Sequence, residues 1–111
     1  MPLFSLTYLL TVPAGASGET SIYTVEAARV LKNLKLTACF PPGQKFNLKV
    51  RVRVGLKQVL PSRGFLCGDG HTVAVESSES ASSGERVIVE YRNDDATNPQ
   101  SCLILVQGEL E

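Results

Sequence analysis

Hydrophobic and polar residues alternate along most of this chain with a period of two, the period of a β-strand with one dry and one wet face. The clearest run is "KFNLKVRVRVG", where Phe46, Leu48, Val50, Val52 and Val54 share one parity. Lys45, Asn47, Lys49, Arg51 and Arg53 hold the other. Strands are predicted over 45–55 and also over 4–12, 20–27, 30–40, 56–61, 71–76, 86–92 and 101–110. Pro13-Ala14-Gly15, Pro41-Pro42-Gly43, Gly55 and Gly68-Asp69-Gly70 punctuate them, as do a Ser-rich loop over 77–85 and a turn-rich connection over 93–100. About eight short strands with this spacing predict an all-β fold: a single antiparallel β-sandwich, jelly-roll-like or immunoglobulin-like, over 1–111. The stretch 24–34 is ambiguous. Val25, Ala28 and Leu31 fit a helical stripe, yet clean alternation from Leu34 to Phe40 argues for strand.

Length and composition narrow the class. A chain of 111 residues is one domain, long enough to bury a core without staples. Eleven basic and eleven acidic residues cancel, which argues against nucleic acid as the main partner. The apolar start, residues 1–18, lacks the basic residues of a secretory signal and is expected to be a first strand. No apolar run approaches the length of a membrane-spanning helix, so no membrane partner is expected. Cys39, Cys67 and Cys102 are odd in number and widely spaced, with no C-x-x-C pair. Buried free thiols are expected, although two of the three pair if the fold aligns them.

Candidate chemistry is sparse. "CGDGH" brings Cys67, Asp69 and the one histidine, His71, close in sequence, but Asp69-Gly70 is the turn that opens a hairpin. "NDD" puts Asn93, Asp94 and Asp95 on a loop as candidate contacts, without the spaced oxygen ligands of a calcium frame. There is no phosphate-binding loop and no tryptophan. Neither an enzymatic activity nor a cofactor nor a metal is expected.

The surface pattern is more informative. In "RVIVEYR", Val87, Val89 and Tyr91 point to the core and leave Ile88 outside. In "SCLILVQ", Leu103 and Leu105 form one face and Cys102, Ile104 and Val106 the other, so the strand is apolar on both sides and must be covered on both. Ile88, Cys102, Ile104 and Val106 are the candidate subunit contact, with self-cover by the N-terminal segment or by 25–34 as the alternative. Lys49, Arg51 and Arg53 form one outward row. Either neighbouring strands supply acids, Glu76 and Glu90 being the candidates, or the row docks an acidic protein partner.

The punctuation itself, "TVPAG", "FPPG", "LPS", "GDG" and "RNDD" before a final apolar strand, resembles that of small phage and viral β-sandwich structural proteins. The chain departs from that pattern at Arg63-Gly64-Phe65, where an Asn-Pro-Asp-Gly turn and a tryptophan are expected, and at Arg92, where an aromatic is expected. The resemblance implies a non-enzymatic virion component made in the host cytoplasm, a capsid decoration (cement) or minor capsid protein. Its partners are itself, as dimer or trimer, and a major capsid protein, with Lys49, Arg51 and Arg53 as the capsid-docking face. It carries over no catalytic residues. The alternative is a small receptor- or glycan-binding adhesion module that uses the loops 77–85 and 93–100.

Overall fold

The computed structural model describes residues 3–43, 45–61 and 63–111. Its strands are β1 (Leu3–Val12), β2 (Ser17–Thr24), β3 (Leu31–Phe40), β4 (Leu48–Val54), β5 (Lys57–Leu60), β6 (His71–Glu76), β7 (Arg86–Asn93) and β8 (Gln100–Leu110). They form two four-stranded antiparallel sheets. Sheet A runs β1-β8-β3-β6 and sheet B runs β2-β7-β4-β5. The arrangement is a set of nested hairpins. β4 and β5 are innermost, joined by Gly55-Leu56 with Gly55 at φ 58°. A first central residue with positive φ matches the twist of the strands it joins, and glycine reaches that conformation without strain. Around that hairpin lie β3 with β6, β2 with β7, and β1 with β8. Successive pairs fall alternately into the two sheets.

Inward side chains fill the space between the sheets. Leu34, Leu36, Ala38 and Phe40 of β3 share one core with Leu48, Val50, Val52 and Val54 of β4, with Leu10, Val12, Val87, Val89, Ile104 and Val106 completing it. The alternation of β3 and β4 is therefore the packing of the core. Phe46 is an exception: it precedes β4, is exposed, and has φ 62°.

The ambiguous stretch forms neither a helix nor a continuous strand. β2 ends at Thr24, and Val25 plugs into the core with its N–H donating to the Glu85 carbonyl at 3.0 Å. Ala28 at φ 63° then breaks any helical path before β3 begins at Leu31. β2 also starts three residues before the predicted position, because Ser17, Gly18 and Glu19 are held in the ladder opposite Arg92, Tyr91 and Glu90.

β8 corrects the sequence reading. It lies in the middle of sheet A with Cys102, Ile104 and Val106 turned into the core, all essentially without exposure. They are not a subunit contact. The faces are the reverse of the predicted ones, and Leu103 and Leu105 look outward. Ile88 does lie on the outward parity of β7, but Arg53 and Ser21 flank it in the ladder and it is buried within its own chain. It too is unavailable to a subunit partner.

Candidate interaction surfaces

The outward row of β4 meets acids from its own sheet. Arg51 lies opposite Glu90 of β7, which in turn lies opposite Glu19 of β2. Arg51 Nη2 donates to Glu90 at 2.8 Å, Arg53 Nη1 lies 3.5 Å from the same carboxylate, and Arg53 Nη2 donates to Glu19. Lys49 pairs with Asp94, which also receives Arg92 Nε at 3.0 Å. Arg51 is fixed further by Gln58 Oε1 at 3.0 Å and by the Phe65 ring, 4.4 Å below its guanidinium. Lys49, Arg51 and Arg53 are thus not a free basic stripe. Of the two predicted acids, Glu90 is the partner. Glu76 lies on sheet A beside Lys35, at 4.0 Å.

The 93–100 loop is turned in on itself. Asn93 is the buried polar residue among those described, at 2% exposure. Its amide donates to the carbonyls of Val12, Pro13 and Asn98 at 3.1 to 3.3 Å, and its Oδ1 accepts the Asp95 N–H at 2.9 Å. It ties the β1–β2 turn to the β7–β8 connection. The Asp95 carboxylate caps the loop: the Thr97 backbone N–H and hydroxyl, followed by the Asn98 donors, hold its pKa well below the usual carboxylate range. Asp94 is also held low, chiefly by Lys49. Of the three candidate loop contacts, Asn93 is structural, Asp95 is occupied within the loop, and Asp94 is exposed but paired.

The "CGDGH" residues stitch loops together. Asp69 Oδ1 accepts the Gly43 N–H at 2.7 Å, and His71 Nδ1 accepts the Asp69 N–H at 3.1 Å. No cluster of three metal-ligating side chains forms among the described residues. All three cysteines are free, with Cys39 exposed, Cys67 half-buried and Cys102 buried. No helix among the described residues is long and apolar enough to cross a membrane.

The outer face of sheet A differs in kind from that of sheet B. One row across it is Leu9, Leu103, Cys39 and Thr72, and the next is Thr7, Leu105, Thr37 and Ala74. Neither row carries a charge. Leu9 is 66% exposed and Leu103 44%. Charges return only toward one end, at Lys35, Glu76 and Glu109. There an open depression of about 630 Å³ lies beside the β3 bulge, and Asn33 donates to Glu109 at 2.7 Å. The sequence hides this face because β8 is apolar on both parities. The signal that could have found it is the charge-free outward parity of β1, with Ser5, Thr7 and Thr11 beside exposed leucines.

No protein-family model matches the chain, and no curated protein matches it. Solved structures do. A chain of the acid-stable capsid structure of Helicobacter pylori bacteriophage KHP30 superposes with TM-score 0.52 at 13% identity, covering 99% of this chain and 97% of that one. A chain of the cyanophage Pam1 capsid asymmetric unit gives 0.52 at 8% identity over 96% and 83%. The crystal structure of FLHE gives 0.51 at 12% identity over 97% and 96%. The likeness is one of fold. It spans both sheets, and the neighbours include phage capsid proteins alongside FLHE.

Proposed function

We propose that this chain is a non-enzymatic virion structural protein, a capsid decoration or minor capsid component that associates with itself and with a major capsid protein. The observation that carries the reading is the fold likeness to chains of two phage capsid structures along nearly the whole length. The nested strand order supports it, since β1-β8-β3-β6 over β2-β7-β4-β5 is the order of a jelly roll, an architecture that viral capsid and lectin domains use. Fold alone does not assign a role, so the surface matters. Sheet A presents two uncharged rows with exposed leucines on its outer face, the kind of surface that a neighbouring protein covers. A contact of about 1,600 Å² is enough for specific binding, and repetition on a symmetric shell multiplies its effect through avidity. The adhesion reading places its contacts on the loops 77–85 and 93–100; in the first, Ala81 is bridged to Leu31 and the Ser83 hydroxyl donates to the Glu26 carbonyl, and in the second, Asn93 and Asp95 are already committed to the chain's own backbone.

Co-expression with the major capsid protein of the same genome, followed by sedimentation of assembled shells, tests the role. The chain is expected in the shell fraction at a fixed ratio, and Leu103→Lys, on the outer face, is expected to shift it to the free pool. A chain that stays free of shells under all salt conditions overturns the reading.

A further inference from the structure

Each sheet has two edges, and three of the four are defended against pairing. β2 carries Glu19 and a bulge between Ser21 and Tyr23. β5 has four residues and begins with Lys57. β6 has six and ends in Glu76. Short strands, charges and bulges are how proteins blunt an edge. β1 has none of these. It is ten residues long, "LFSLTYLLTV", without a charge or a proline, and its register with β8 runs unbroken from Leu3–Glu109 to Val12–Gln100. Among the described residues, no other strand lies on its far side.

The first seven side chains of β1 are also incompletely covered. Leu3 and Leu9, on the outer parity, are 85% and 66% exposed. Phe4, Leu6 and Tyr8, on the inner parity, are only half-buried, because the sandwich is open along this flank and Tyr23 of β2 is the neighbour that Phe4 finds, at 4.6 Å between rings.

We propose that β1 pairs antiparallel with β1 of a second copy, about a two-fold axis at Leu6, so that two A sheets become one eight-stranded sheet. The partner must be an uncharged strand, because an edge without charge offers nothing to a charged one, and β1 is the uncharged strand that this chain supplies. The sequence is self-complementary in that register. Leu3 meets Leu9, Ser5 meets Thr7, Phe4 meets Tyr8, and Leu6 meets its own copy. The two most exposed leucines of β1 cover each other on the outer face. The aromatic pair closes the open flank on the inner face, where cross-strand aromatic pairs are favourable. Opposed parities match, as antiparallel pairing requires, and the free backbone groups of the edge gain partners. The outer faces of the two A sheets, each with its two uncharged rows, then join into one continuous surface.

The inference deepens the self-association half of the proposed function and is independent of the capsid half: a dimer formed by the purified chain supports it even where co-sedimentation with shells fails. Light scattering across a concentration series is expected to show a monomer–dimer equilibrium. Thr7→Lys combined with Leu9→Lys, both outward and exposed, is expected to give monomers with an unchanged circular dichroism spectrum. In a Cys39→Ser, Cys67→Ser background, Leu6→Cys is expected to form a disulfide-linked dimer on mild oxidation and Ser5→Cys is not, since Ser5 faces Thr7. A chain that is monomeric at every concentration overturns the proposal, as does an oligomer that survives the double lysine variant. If that variant fails to fold, the Leu6→Cys cross-link decides, and its absence is equally fatal.

Discussion

Asn93 shows how much one side chain carries in a sandwich whose loops are long and irregular. Four hydrogen bonds converge on it from two segments of chain, in a site closed to water. Asn93→Ala leaves carbonyls of Val12 and Pro13 without that donor, and each buried polar group left unsatisfied costs about 1–3 kcal/mol. A loss of about 2–4 kcal/mol in urea unfolding is expected, and Asn93→Asp is expected to fare no better, because a carboxylate cannot donate to three carbonyls. Cys102 offers a second residue-scale test. Burial, with a smaller contribution from Cys39, pushes its thiol from the ordinary value near 9 up to about 12. Unfolding releases the thiol to ionise above pH 9, whereas the folded chain keeps it neutral, so its stabilising contribution is complete below that pH and declines as pH rises through the window toward 12. Wild type is expected to lose up to about 1.4 kcal/mol per pH unit relative to Cys102→Ala in that range, read from unfolding curves at a series of pH values. In the sequence Asn93, Asp94 and Asp95 look alike as turn formers. The difference between a buried clamp, a paired surface charge and a loop cap arises only when Val12 and Pro13 arrive from the other end of the chain.

At the scale of elements, the row on β4 shows charges arranged for their own sheet. Glu90 is shared between Arg51 and Arg53, all three side chains being less than a third exposed. Removing the acid leaves the partly buried Arg51 without a carboxylate and Arg53 with Glu19 alone, a larger loss than at a solvated pair. Glu90→Gln is expected to cost about 1–2 kcal/mol, with the deficit narrowing in high salt. An unchanged unfolding midpoint would remove the network from any account of stability. The strands themselves were legible because period-two alternation is the packing of the core: β3, β4, β6 and β7 lie within a few residues of their predicted positions. β8 was legible as a strand but not as to face. Leucine, isoleucine and valine occupy both of its parities, so only the neighbours β1 and β3 decide which side is dry. Phe46 failed for another reason, since a positive φ at that position takes it out of the ladder before the alternation begins.

The whole molecule is elongated, 45 by 22 by 22 Å, and held almost entirely by contacts distant in sequence. Nested hairpins require the chain's two ends to meet, as Leu3 does with Glu109. Such topologies fold slowly, and refolding in about milliseconds to seconds is expected by stopped-flow fluorescence of the tyrosines; a phase in microseconds would mean that the long-range pairings are not what limits folding. None of this order was readable from the sequence, because alternation marks a strand and says nothing about its partner. The position of β8 has a consequence for how the protein is made. The strand at the centre of sheet A is the latest of the eight to leave the ribosome. Until it emerges, β1 and β3 have no common neighbour, and the uncharged edge of β1 waits in the open while translation finishes. Until β8 is in place, β1 is unpaired on both sides and β3 on one, and unpaired strand edges of this kind favour aggregation of incompletely folded chains.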